Sequence, residues 1–355
     1  MSTTLEAFIT ESDRLESSGR QGLSGEAVSV SYLQEGRMLP LLIEPVTSAT
    51  DLIAWAKANL GQIKAWLSIH GGILFRGFNL STTEEFERLI VAVSGNLLDY
   101  SYRSTPRTRV SGKIYTSTEY PAQQSIPLHN ENSYARDWPM KIWFFSLRCA
   151  TTGGETPIAD SRRVYQRIPP RIRELFAQKG VMYVRNYGSG LDLSWEEVFQ
   201  TTSKSEVESY CHSFGLDFEW LPEDRLRTRQ VCQAVARHPH TGEMVWFNQA
   251  QLFHISRLKP EVREAMLTIF SEEDLPRNIL YGDGTRIDPD DLDQICAVYD
   301  QEEIAFPWHQ GDVLMLDNML AAHARKPFSG ERKVVVGMAE PYSGTETLTF
   351  GRVVQ

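Results

Sequence analysis

His129 and Glu131 stand two positions apart in the run Pro127-Leu128-His129-Asn130-Glu131-Asn132. In a strand, residues i and i+2 share a face, so an imidazole and a carboxylate could meet at one point. A second imidazole there would complete two histidines and one carboxylate on one face of an octahedron. That set suits ferrous iron and leaves three positions for a bidentate cosubstrate and oxygen. A lone His-x-Glu is common on exposed strands, so the rest of the set decides. The second histidine is expected from His323, just past the apolar run Val313 to Leu316 and Asp317-Asn318-Met319-Leu320. Beyond Pro327 and Ser329-Gly330, Arg332 opens another β-rich run. Its planar guanidinium could fork onto the far carboxylate of 2-oxoglutarate, a geometry lysine cannot match. Taken alone, Arg332 would read as a surface partner of Glu331, and Arg325 is its rival. Thr156, in Gly153-Gly154-Glu155-Thr156-Pro157, follows Glu131 by 25 positions and could donate its hydroxyl to the same carboxylate. In isolation it is an ordinary turn threonine.

These residues lie far apart in the chain, so sheets must gather them. Short runs rich in aromatic and β-branched residues begin near Lys113: Ile114-Tyr115-Thr116, Ile142-Trp143-Phe144-Phe145, Thr156-Pro157-Ile158 and Val181-Met182-Tyr183-Val184. They return at Val245-Trp246-Phe247, Val313 to Leu316 and Val334-Val335-Val336. The stretch between is more helical, with capping-box forms at Ser194 to Glu197 and Ser203 to Glu206. Before the strands, Leu52, Ile53, Ala56, Leu60, Ile63 and Leu67 form one apolar stripe, which predicts a helix ending at Gly71-Gly72. Ile73-Leu74-Phe75 reads as a buried strand, and Ser81-Thr82-Thr83-Glu84 has the form of a capping box. The pattern predicts one domain over 1–355, mainly β with helices. It has an N-terminal extension over 1–45 and a largely helical insertion over about 160–300, carried between the metal-ligand segments.

A formal net charge of −10 argues against a nucleic-acid partner and against docking on an anionic membrane. No apolar run approaches the roughly 18 residues of a spanning helix. The opening Met-Ser-Thr-Thr-Leu-Glu-Ala-Phe does not read as a signal peptide. Cys149, Cys211, Cys232 and Cys296 are scattered, as expected for reduced thiols, and the expectation is a cytoplasmic protein acting on small molecules.

With these segments in hand, the sequence resembles the taurine dioxygenase/TfdA-like oxygenases, and within them SyrP-like amino-acid hydroxylases of natural-product biosynthesis. The likeness is carried by Pro127 to Glu131, Gly153 to Arg162, Gly311 to Asn318 and His323 to Arg332. Tyr183 to Tyr187, Trp246 to Gln249 and Tyr281 to Gly284 add to it, so that it spans roughly Gly71 to Tyr342. The resemblance implies a double-stranded β-helix, or jelly roll. It also implies Fe(II) on His129, Glu131 and His323, 2-oxoglutarate on Thr156 and Arg332, and O2 as the other cosubstrate. The wider family often has aspartate at the position of Glu131. A carboxylate there separates the chain from radical halogenases, in which a small residue frees the site for chloride. Arg185 and Asn248, in resembling segments, could hold an amino-acid carboxylate or amide, against a structural role inside the insertion. The substrate expected is an amino acid, free or tethered to a carrier protein, and the reaction a hydroxylation. Desaturation, epoxidation or cyclisation by the same chemistry is an alternative. An alternative of another class is a non-catalytic jelly-roll binding protein.

Several features read as structural. His238-Pro239-His240 is a turn rather than a second metal site. His254 and His309 are single histidines in aromatic surroundings. The basic runs Arg225 to Arg229 and Arg162 to Arg173 could dock an acidic carrier, but solvated charge is the simpler reading.

Overall fold

The computed structural model describes residues 27–99, 108–117 and 120–344. The N-terminal residues on which the absence of a signal peptide was judged lie outside them. In chain order the strands begin β1 (Val28–Gln34), β2 (Arg37–Pro45), β3 (Gly72–Phe75), β4 (Arg109–Ser111) and β5 (Ile114–Thr116). Next come β6 (Ile126–His129), β7 (Asp137–Arg148), β8 (Thr152–Gly153) and β9 (Ile158–Asp160). The following segment contributes β10 (Val181–Tyr187), β11 (Asp217–Leu221), β12 (Arg225–Cys232), β13 (Val235–Arg237), β14 (Met244–Trp246) and β15 (Arg277–Tyr281). The chain then returns with β16 (Val313–Asp317), β17 (Ala321–Arg325), β18 (Phe328–Ser329) and β19 (Lys333–Ser343).

Two sheets make the jelly roll. The larger runs β1-β2-β3-β16-β7-β19-β5-β4, and the smaller β6-β17-β9. Only β2 and β3 pair in parallel within them. The aromatic run of β7 shows why the large sheet is central. Alternate residues face opposite ways, and both ways are buried. Trp143 and Phe145 pack with Leu41, Phe75 and Phe86 beneath the helices; Ile142 and Phe144 pack with Ile158, Leu314 and Val336 between the sheets. Each large side chain fully removed from water contributes about 1.5–3 kcal/mol.

β17 divides its residues the same way. Ala322 and Ala324 join a core built by the insertion, with Leu128, Phe176, Trp246 and Ile295. Ala321 joins the core between the sheets, and His323, two residues on, lies against Phe144 with ring centroids 5.0 Å apart. His323 therefore looks into the jelly roll.

Some expectations need correction. The apolar stripe after Thr50 is two helices, Leu52–Ala58 and Leu60–His70, parted at Asn59. Its side chain donates to the Trp55 carbonyl at 2.8 Å, a local bond that competes with helix continuation. The capping box forms one residue later, between Thr82 and Glu85, while the one at Ser194 and Glu197 forms as read. At Ser203 no side-chain cap forms: its hydroxyl pairs with that of Ser205, and the Glu206 carboxylate is taken by Thr201. Residues 28–45 are a hairpin on the edge of the large sheet, with Leu41 and Ile43 fully buried, rather than an extension. Between 160 and 300 the helices are joined by a four-stranded sheet, β11-β12-β10-β15. Among the described residues no helix is long and apolar enough to cross a membrane.

Candidate metal and cosubstrate site

β6 and β17 are antiparallel neighbours, and their register sets His129 opposite His323. The two rings lie 4.5 Å apart, centroid to centroid. Glu131 Oε2 lies 3.8 Å from His323 Nε2, and one ligand atom from each of the three residues falls within 4.8 Å of the others. Two imidazoles and one carboxylate converging this closely fit a first-row divalent metal with open positions. His129 Nδ1 lies 2.8 Å from the Pro127 carbonyl, which fixes Nδ1 as the protonated nitrogen and leaves Nε2 for a metal.

Strand alternation does not present Glu131, contrary to the sequence reading. β6 ends at His129, and Glu131 sits in the turn that follows, next to Asn132 with φ of 55°. Asn318 holds that turn. Its Oδ1 accepts the Glu131 N–H at 2.7 Å, and its Nδ2 donates to the carbonyls of Glu131 and Pro139, each at 2.9 Å. Its own carbonyl accepts from Asn130 Nδ2 at 2.7 Å. Before it, Asp317 accepts the N–H groups of Met319 and Leu320, shaping the turn into β17. One dipeptide thus links the two ligand segments. The insertion grips β6 from outside: Gln251 donates to the Leu128 carbonyl at 3.2 Å, and Gln249 to that of Asn130 at 2.8 Å.

His129 and His323 line one cavity with Thr156, Arg325 and Arg332. Glu331 does not claim Arg332; it pairs at the surface with Arg148. Arg332 donates to the Gly154 carbonyl at 2.8 Å, Ser117 Oγ at 3.3 Å and Thr156 Oγ1 at 3.3 Å. Trp308 Nε1 also donates to Thr156 Oγ1, at 3.1 Å. Burial and the neighbouring Arg325 charge push the Arg332 guanidinium down to about 10, so it stays cationic at neutral pH. Gly154, at φ of 77°, leaves room for it; a Cβ there would stand 2.9 Å from Arg332 Cδ. The rival Arg325 donates to the carbonyls of Tyr120, Pro121 and Gln124 at 2.9, 2.8 and 2.8 Å, and so holds a loop beside the cavity.

Arg185 and Asn248 lie elsewhere. Asn248 donates to the Ala234 carbonyl and accepts from the Ala250 N–H, which makes it a turn residue at the helix Ala250–Phe253. Arg185 lines a different cavity with Tyr134, Tyr183, Phe253 and Arg277, and stacks over the Tyr187 ring. His238 is buried, 3.2 Å from Asp317 Oδ2, and joins no metal-binding cluster among the described residues. His254 caps a short turn by accepting the Ser256 N–H. The basic runs are engaged locally: Arg227 with Asp274, Arg229 with Glu219, Arg163 and Arg167 with Glu302, and Arg171 with Asp291. Asn318, Gln249, Gln251 and Trp308 were not singled out from sequence. Asn318 and Gln249 sat inside the resembling segments, which was the only signal available.

The chain is an iron(II)- and 2-oxoglutarate-dependent oxygenase. The chain belongs to the taurine catabolism dioxygenase TauD, TfdA family, whose model matches residues 39–338. It is 45% identical over 275 residues to the dapdiamide synthesis protein DdaC of Enterobacter agglomerans, covering 78% of this chain and 84% of that relative. A clavaminate synthase-like protein of Arabidopsis thaliana is 27% identical over 329 residues, covering 86% and 95%. Among solved structures, PvcB of Pseudomonas aeruginosa shares the fold with a TM-score of 0.55 at 15% identity, covering 92% of this chain and 98% of that one.

Proposed function

We propose that His129, Glu131 and His323 hold ferrous iron, that Thr156 and Arg332 hold the far carboxylate of 2-oxoglutarate, and that the enzyme hydroxylates an amino acid in natural-product biosynthesis. The observation that carries this is the convergence of one ligand atom from each of His129, Glu131 and His323 within 4.8 Å, the two histidines lining a cavity that Arg332 also lines. Bound together, iron, 2-oxoglutarate and dioxygen supply an oxidant strong enough for a C–H bond, with 2-oxoglutarate leaving as succinate and carbon dioxide. The chain's residues bind and orient. Glu131 fills the third protein position, which favours oxygen transfer over halide transfer. Arg332 and Thr156 anchor the cosubstrate end remote from the metal. Phe144 walls the cavity beside His323.

A small molecule is the substrate. The choice of an amino acid draws on the resemblance to amino-acid hydroxylases and is in keeping with the relative named for dapdiamide synthesis; whether it is free or carrier-tethered is for the panel below to decide. Desaturation, epoxidation or ring closure would use the same residues. Residues 1–355 would act as one domain, the segment over about 160–300 being inserted between the two ligand strands. His129→Ala should abolish both iron binding and substrate-dependent succinate release; full turnover in that variant would refute the ligand assignment. A panel of free and carrier-loaded amino acids, scored by succinate release and product mass, tests the substrate class. A panel with no substrate-dependent release would overturn it.

A further inference from the structure

We propose that Trp308 is a positioning residue that makes the Thr156 hydroxyl an obligate donor and so selects a carboxylate at the far end of the bound 2-oxo acid. This rests on the reading that Thr156 and Arg332 hold that end. Thr156 Oγ1 lies 3.1 Å from Trp308 Nε1 and 3.3 Å from Arg332 Nη2. An indole N–H and a guanidinium N–H can only donate, so the threonine oxygen accepts both. A hydroxyl has two acceptor lone pairs and one proton. With both lone pairs engaged, its proton points away from both donors, toward the cavity that Thr156 lines with Arg332 and His323. Among the described residues that proton meets no acceptor, and Thr156 is only 2% exposed. A buried O–H left in that state is costly until a ligand oxygen completes it.

The ligand chemistry follows. A carboxylate offers acceptors to the hydroxyl and to Arg332 together. A terminal amide offers one oxygen and turns its NH2 toward groups that can no longer accept. Trp308 is itself fixed: its ring packs edge-on to Phe306 with centroids 6.0 Å apart, and its carbonyl accepts the Cys149 thiol at 3.2 Å. It is not among the residues lining the cavity, so it acts through Thr156.

The test is a double-mutant cycle on the Mn(II)-loaded protein, with affinities for 2-oxoglutarate and 2-oxoglutaramate read by calorimetry without turnover. Trp308→Phe should weaken 2-oxoglutarate about three- to tenfold and narrow its preference over the amide. It should have no further effect in the Thr156→Val background. An equal loss with and without the hydroxyl, or an unchanged preference, overturns the proposal. If Trp308→Phe fails to fold, 3-benzothienylalanine at position 308 replaces the N–H by sulfur with the shape kept, and the same outcomes apply. If Thr156→Val and Arg332→Ala both leave 2-oxoglutarate affinity intact, the underlying reading of the cavity fails instead.

Discussion

Arg332 illustrates what one residue does here and how far its type could be read. Its guanidinium is half-buried, unclaimed by Glu331, and donates to Gly154, Ser117 and Thr156 on one wall of the cavity. Arg332→Ala should weaken 2-oxoglutarate by ~2–4 kcal/mol, the loss of a charge-assisted pair. Arg332→Lys should recover little of it, since a point charge cannot reproduce the fork. Calorimetric titration of the metal-loaded protein measures both, and an unchanged affinity would hand the role to Arg325. His129, His323 and Arg332 were legible as a set inside the resembling segments, since each taken alone has a plainer reading. Trp308 was not: an indole donor marks its target only when the fold brings the two together. Asn248 fits the structural alternative weighed for it, since its two polar ends serve its own turn.

At the scale of elements, the turn Asp317-Asn318 matters as much as the ligands. Asn318 fastens Glu131 on both sides of its peptide, and it stands five residues before His323. Asn318→Ala should lower metal affinity ~10- to 100-fold, the usual cost of losing an outer partner of a ligand. Co(II) titration measures it; affinity within twofold of the parent would show that the turn holds itself. Strands such as β5, β7, β10, β14, β16 and β19 were legible from aromatic and β-branched runs. β12 was not, because Arg225-Leu226-Arg227-Thr228-Arg229 reads as a charge run until Glu219 and Asp274 are seen beside it. The capping box at Thr82 was found one residue early, because Ser81 and Glu84 fit the same template as Thr82 and Glu85. Thr82→Ala should cost about 1 kcal/mol in urea unfolding, and a value near zero would remove that cap from the account.

Across the whole molecule, stability should depend on pH through His70, which ends the helix Leu60–His70 and meets Tyr32 of the edge hairpin with centroids 5.6 Å apart. Burial, and then the positive charge of Arg162, hold its imidazole down at about 4. The unfolded chain titrates near 6.5 and binds the proton first, so stability present above that pH is lost as pH falls toward 4. The loss is on the order of 3 kcal/mol. Urea unfolding at pH 7 and pH 4.5 should show a smaller drop for His70→Gln than for the parent; equal drops would point to other groups. The hairpin that His70 braces was taken for an extension because its strands lack a clean alternation. β2 is buried along Leu39 to Ile43 as one continuous run instead.

Gln249 and Gln251 belong to the insertion yet bond the carbonyls on either side of His129. The insertion is therefore one of the hands that steadies the strand carrying His129. A chimaera that borrows this region from a relative inherits that grip with it. Grafts that keep both glutamines should retain metal, and grafts that lose them should need a compensating partner for those two carbonyls.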